Sequence, residues 1–201
     1  MTRIGIFGGT FDPPHLAHLI LAETCAEALG LERVLWVPAA DPPHKHGAPI
    51  AAARHRMAMV EAAIAGNERF ALSHVDVDRP GPHYSADMVE VIAGSFDPGD
   101  ELYFLMGGDS LHDLPRWHEP ERLIARCRLA VMRRPADGMD AALESLCKTL
   151  PALASALRFV PAPLIEISGA EVRRRVRAGL SVRYLVPETV AAYIAREGLY
   201  K

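Results

Sequence analysis

The hydrophobic positions of this chain change their spacing several times, and each change marks an element. Ile4 to Phe7 form a short apolar run suited to a buried strand. It runs into Gly8-Gly9-Thr10-Phe11-Asp12-Pro13-Pro14, a turn rich in Gly and Pro. Beyond the turn Leu19, Ala22, Ala26 and Leu29 recur at helical spacing, and Gly30 offers a C-terminal stop. The unit of strand, loop and helix then repeats. Arg33 to Val37 predicts a buried strand, Ala51 to Ala65 a helix, Phe70 to Val77 a strand and Ser85 to Ala93 a helix. Leu102 to Met106 and Leu129 to Met132 add two short apolar runs, with a helical pattern over Glu121 to Cys127 between them. From Ser168 onward the pattern reads as two helices.

Strands and helices of these lengths in alternation predict an α/β fold: a Rossmann-like, doubly wound parallel sheet with helices on both faces. Residues 168–201 follow as a C-terminal helical cap. No repeat, low-complexity tract or linker divides the chain, so 1–201 reads as one domain. In such sheets ligands sit outside the carboxyl ends of the strands, where the strand order reverses. That directs attention to the loops after strands one, two and four. The Pro-rich stretches at 38–49 and 161–163 read as loops, and 40–49 is long enough to be a functional one.

Composition narrows the partners. Of 201 residues, 50% are apolar and 23% charged, which is enough to build a core without staples. Lys and Arg number 22 against 25 Asp and Glu, so no global field draws the chain to nucleic acid or an anionic membrane, and any phosphate binding is local. The N-terminus shows no signal-peptide pattern, and no apolar run has membrane-spanning length. Cys25, Cys127 and Cys147 lie far apart without C-x-x-C spacing, which predicts a reduced, cytoplasmic setting with neither disulfide framework nor zinc site.

The strongest chemical signal is the turn after the first strand. Gly8 and Gly9 allow close backbone approach to a ligand, and the helix start that follows presents unpaired N–H groups and a positive dipole end to an anion. His15 and His18 share one face of that first turn. Together they predict a phosphate-binding corner with two imidazole donors. Two alternatives remain at this level: a plain tight turn with surface histidines, or a metal set of Asp12, His15 and His18. Asp12 precedes two prolines and is expected to point away from the helix face.

The run G-G-T-F-D-P-P-H-x-x-H resembles the signature of the nucleotidylyltransferase superfamily, and of its nicotinate-mononucleotide adenylyltransferase family in particular. Further segments resemble that family in the expected order. They are Pro42-Pro43-His44-Lys45, then Arg79-Pro80-Gly81-Pro82-His83-Tyr84-Ser85-Ala86-Asp87, then Met106-Gly107-Gly108-Asp109-Ser110 with Trp117 downstream, and Ile167-Ser168-Gly169-Ala170-Glu171-Val172-Arg173. The resemblance covers nearly the whole chain and implies transfer of the adenylyl group of ATP to nicotinate mononucleotide, giving nicotinate adenine dinucleotide and pyrophosphate. It also implies Mg2+ carried by ATP, although no acidic cage for a metal is visible. ATP and the mononucleotide are the implied partners, and a homo-oligomer is compatible with the sequence.

The resemblance assigns roles residue by residue. His18 donates to the α-phosphate and His15 helps to hold the phosphates, with Lys45 and Arg173 as further catalytic cations. Gly8, Gly9, Thr10, Phe11, Gly107, Asp109 and Ser168 join them around ATP, Asp109 on the ribose. Lys45, Tyr84, Ser85 and Trp117 hold the mononucleotide. Each has a plainer reading: Lys45 as a solvated loop lysine, Trp117 as core, and Asp109-Ser110 as a helix cap. Ser168-x-x-Glu171 likewise fits a capping box ahead of an apolar stripe of Val172, Val176 and Leu180, and Arg173 fits a solvated basic face.

The chain departs from the family at Ala17, where Gly is usual, at His83 and Met88, and at Gly169 and Ala170, where hydroxyl residues are usual. Rival readings are an adenylyl- or cytidylyltransferase of the phosphopantetheine type and a non-catalytic nucleotide sensor. Preference between nicotinate and nicotinamide mononucleotides stays open at this level.

Overall fold

The computed structural model describes residues 1–41, 50–133, 139–163 and 165–201. Its first half alternates β1 (Arg3–Gly9), α1 (Leu16–Leu29), β2 (Arg33–Pro38), α2 (Ala53–Ile64), β3 (Phe70–Leu72), a short α3 (Val75–Asp78) and α4 (Ser85–Ala93). The second half runs β4 (Glu101–Gly107), α5 (Gly108–Asp113), α6 (Pro120–Arg126), β5 (Arg128–Arg133), α7 (Met139–Thr149), α8 (Leu153–Ala156) and β6 (Leu157–Pro161). Helices α9 (Gly169–Arg177) and α10 (Glu188–Glu197) complete the chain.

Among the described residues the six strands form one parallel sheet in the order β3-β2-β1-β4-β5-β6. The order reverses between β1 and β4, where Ile4 lies opposite Leu102 on one side and Arg33 on the other. Both faces of β4 are buried, as a central parallel strand requires: Phe104 and Met106 pack towards Val89 and Leu123, while Tyr103 and Leu105 join the cluster of Ala22, Cys25 and Trp36. Helix α1 stops at Gly30, whose φ of 62° is open to glycine at little cost.

A third cluster makes the C-terminal cap. Val172 from α9, Val190 and Ile194 from α10, and Met59 from α2 bury one another, so the cap sits on α2 beside the sheet. Full burial of each such side chain is worth about 1.5–3 kcal/mol. Ser168 Oγ accepts the Glu171 N–H at 3.2 Å, but the Glu171 carboxylate turns to Arg174, so only half of the expected capping box forms. The apolar stripe also shortens: α9 ends at Arg177 and Leu180 is exposed.

One expected strand needs correction. The strand expected over Phe70–Val77 pairs only through Leu72: the Ser73 N–H makes the last bond to β2, on Trp36 O, and the chain then turns into α3. Asp76 decides this turn: its buried carboxylate accepts from Arg79 and from the Ala40 N–H, contacts that a continued strand would break. The elements α7, α8 and β6 carried no strand or helix expectation. Strand β6 is an edge strand ending in a proline, a place where a missing N–H costs little. Among the described residues no helix is long and apolar enough to cross a membrane.

Candidate active site

A cavity of about 780 Å³ opens at the carboxyl ends of β1, β2 and β4, at the point of strand-order reversal. This is within the usual range for a small-molecule site. Gly8, Gly9, Thr10 and Phe11 form one wall with His18, and Gly107 and Ser110 come in from the end of β4. The opposite wall carries Tyr84, Ser85, Met88 and Trp117, with Asp76, His83 and His118 beside them.

The two histidines occupy different environments. His15 precedes the first residue of α1 and is 6% exposed, and burial lowers its pKa to about 4, so the ring is neutral at pH 7. His18 stacks on it with ring centroids 3.6 Å apart, and Phe7 and Phe11 meet His18 in T-shaped contacts. The His18 Nδ1 accepts the His15 backbone N–H at 3.2 Å, which puts the proton of a neutral ring on Nε2. His18 is thereby built as a donor of fixed tautomer on the cavity wall. The helix start is less open than its sequence suggests, because the Leu16 N–H donates to Leu185 O at 2.9 Å and the His18 N–H to His15 O.

Behind this wall lies a buried polar hub. Asp12 Oδ1 accepts from the Tyr200 hydroxyl at 2.6 Å and from the Ala51 N–H at 3.2 Å. Arg173 donates to the Asp12 carbonyl at 2.6 Å and stands 3.4 Å from its Oδ2. The Asp12 carboxylate is therefore engaged by the C-terminal cap, and among the described residues no group of three or more His, Cys, Asp or Glu gathers as a metal set. Arg56, 1% exposed, donates to Thr10 O, Ala40 O and Ala51 O, tying the loop after β1 to residues of the loop after β2. Burial lowers its pKa, and the Asp12 carboxylate is the chief charge opposing that shift.

The opposite wall is held locally. Arg79 donates twice to Asp76 Oδ1, at 3.0 and 2.7 Å, and to the carbonyls of Pro82 and Tyr84. This fork fixes the turn that presents Tyr84 and starts α4 at Ser85. Tyr84 stacks on His118 at 4.0 Å, and His83 Nδ1 stands 3.6 Å from Asp76 Oδ2. Trp117 is half-buried: its ring meets that of Phe104 nearly at right angles, centroids 6.0 Å apart, and the residue also lines the cavity, so it meets both the core and the ligand reading.

The cavity thus brings together Gly8, Gly9, Thr10, Phe11, His18, Tyr84, Ser85, Gly107 and Trp117. His15 lies behind His18, Asp109 is exposed on α5, and Ser168, which caps α9, and Arg173 within α9 are outside the cavity lining. Lys45 lies outside the described residues. Ala17 is buried and does not line the cavity. Sequence reasoning attached no role to Asp76, Arg79, Arg56, His118 or Tyr200. The spacing of Asp76 and Arg79, three apart ahead of a Pro-Gly-Pro turn, was the available signal for one pair; Arg56 and Tyr200 had none.

The cytidylyltransferase-like family model matches residues 6–175. A relative from Thermomicrobium roseum, named probable nicotinate-nucleotide adenylyltransferase, is 50% identical over 201 residues, covering 100% of this chain and 92% of the relative. One of the same name from Salinibacter ruber is 41% identical over 198 residues, covering 98% and 97%. Among solved structures, the Plasmodium falciparum nicotinic acid mononucleotide adenylyltransferase complexed with NaAD superposes with a TM-score of 0.78 at 20% identity, over 100% of this chain and 98% of that one. The same enzyme complexed with APC gives 0.77 at 19% identity and the same coverage. The solved structures share the fold. With half of all positions identical to one relative from end to end, and the glycine turn and the Tyr84 and Trp117 segments meeting in one cavity, the chain belongs to the nicotinate-nucleotide adenylyltransferase family.

Proposed function

We propose that this protein transfers the adenylyl group of ATP to nicotinate mononucleotide, releasing pyrophosphate and forming nicotinate adenine dinucleotide. The observation that carries this reading is that one cavity holds a phosphate-type wall, Gly8 to Phe11 with His18, facing an aromatic wall of Tyr84 and Trp117. The attacking group is a phosphate monoester with a second pKa of about 6, so it is ionised at neutral pH and needs no protein nucleophile. Its oxygen bonds to the α-phosphorus of ATP as the bond to the β-phosphate bridging oxygen breaks, and that oxygen leaves with the electron pair on pyrophosphate. What the protein supplies is positioning and charge stabilisation.

In this reading the His18 Nε2–H donates to an α-phosphate oxygen as charge grows there, and neutral His15 holds the ring in register. Gly8, Gly9, Thr10 and Phe11 allow close approach of the triphosphate, Gly107 makes room for the adenosine, and Asp109 accepts from its ribose. Lys45, Ser168 and Arg173 serve the phosphates. Trp117 stacks on the pyridinium ring, and Tyr84 and Ser85 complete the mononucleotide pocket. Magnesium belongs with the nucleotide: with no acidic cluster among the described residues, the polyphosphate oxygens would be its ligands, and it would supply charge neutralisation there. The chain acts as one domain, with 168–201 bracing the phosphate wall.

A coupled assay of pyrophosphate release tests the reading. ATP with nicotinate mononucleotide is expected to give turnover that EDTA abolishes, and nicotinamide mononucleotide run in parallel measures the base preference. No pyrophosphate from either mononucleotide would overturn the assignment.

A further inference from the structure

We infer that the end of the chain sets the geometry of the phosphate wall: Tyr200 and Arg173 converge on Asp12, which makes Tyr200 and Asp12 positioning residues for His18 in the reaction proposed above, on which this inference rests. Asp12 lies between β1 and α1 and is 4% exposed. Its Oδ1 accepts from the Tyr200 hydroxyl at 2.6 Å, and its carbonyl from Arg173 at 2.6 Å. Those donors lie 188 and 161 residues away along the chain. Burial, and then the bond to Asp12, push the Tyr200 hydroxyl up, so it remains a protonated donor throughout the neutral range.

Two further contacts fit the same purpose. Leu185 O accepts the Leu16 N–H at 2.9 Å. The cap therefore grips the chain at Asp12 and again at Leu16, on either side of His15, whose own N–H orients His18. At Gly169 an added Cβ would come within 2.8 Å of the Asp12 carbonyl oxygen. Glycine there lets the start of α9 close onto the loop so that Arg173, one turn further on, reaches Asp12. This accounts for one departure from the family pattern: the side chain at 169 is traded for close approach.

A purely stabilising clamp would use the same contacts, and Tyr200→Phe separates the two. The variant keeps the ring, which packs with the cap cluster, and removes only the hydroxyl. A small misplacement of a catalytic group costs on the order of 10-fold to 100-fold in rate. Steady-state kinetics at 25 °C should therefore show kcat down at least about 10-fold, with KM for nicotinate mononucleotide within about twofold, since its wall is held by Arg79. Amide hydrogen exchange over 12–20 should quicken while that of β4 and β5 stays unchanged. Asp12→Asn should reproduce both effects.

A Tyr200→Phe enzyme with kcat within twofold of wild type overturns the inference and leaves the contact as a clamp. Unchanged exchange over 12–20 overturns it as well, because the hydroxyl then does not hold the loop. A wild-type protein that releases no pyrophosphate fails the functional reading instead, and the exchange measurement still decides whether Tyr200 sets the loop.

Discussion

The two walls of the cavity are held in opposite ways. The phosphate wall depends on partners far along the chain: Asp12 on Tyr200, 188 residues on, and on Arg173, 161 residues on. The aromatic wall depends on Arg79, which binds Asp76, Pro82 and Tyr84 within five residues of itself. A local fork closes a short loop, whereas the Asp12 hub forms only once the cap has docked on α2. Damage to the cap should therefore reach catalysis through ATP and His18, and damage to the fork should reach it through the mononucleotide.

The largest expected effect sharpens the phosphate side. His18→Ala removes one preorganised donor and should lower kcat about 100-fold to 1,000-fold with little change in either KM. Steady-state kinetics showing less than a fivefold fall in kcat would take His18 out of the mechanism.

The aromatic side breaks differently. Arg79→Met leaves Asp76 buried without its cation, a loss of about 3–5 kcal/mol from a pair whose side chains are 12% and 5% exposed. Urea denaturation should record that loss. Kinetics on the folded fraction should show a raised mononucleotide KM with the ATP KM nearly constant. An equal rise in both would mean that the two walls are not independently held.

His15 ties the phosphate wall to pH. Its folded pKa lies near 4 against 6.5 for the free group, so between those values the unfolded chain binds the extra proton. Its contribution is complete above about pH 6.5, falls as pH drops towards 4 and levels off below it, amounting to about 3 kcal/mol over the window. The dependence of the urea midpoint on pH should flatten in His15→Asn across that window. An identical slope in both proteins would assign the acid sensitivity to other groups.

Arg173→Ala should lower kcat/KM for ATP about 10-fold, the equivalent of one charge-assisted hydrogen bond. If it also quickens exchange over 12–20, the arginine acts through Asp12 as well as on phosphate. The smallest effect belongs to Trp117→Ala. It should weaken the mononucleotide by about 0.5–2 kcal/mol and leave ATP nearly untouched by calorimetry. Equal weakening of ATP would reduce Trp117 to its core contact with Phe104.

Sequence pattern alone carried the architecture far. The helix over Ser85–Ala93 matches α4 residue for residue, the Gly30 stop is observed, and the switch point was placed at the loops that line the cavity. Periodicity reports local burial, and a parallel sheet with helices on both faces imposes it strongly. The misreading of 70–77 arose where that rule stops. Apolar residues continue to Val77, although they change phase after Leu72, and the bonds from Asp76 to Ala40 and Arg79 outweigh a few marginal ladder positions.

The chain's order of residues by itself determined the fold class, through strands and helices alternating along its length, and the glycine turn with its histidines, through spacing within one short segment; the residues of the aromatic wall came from the family resemblance. Only the tertiary structure decided that the Leu16 N–H is already taken, that His15 is buried and neutral while His18 is a donor of fixed tautomer, and that Arg173 grips Asp12. The roles of Arg56 and Tyr200 belong to the same class. Their partners are backbone carbonyls and a carboxylate brought together from distant segments, and no periodicity along the chain encodes which buried donor meets which buried acceptor.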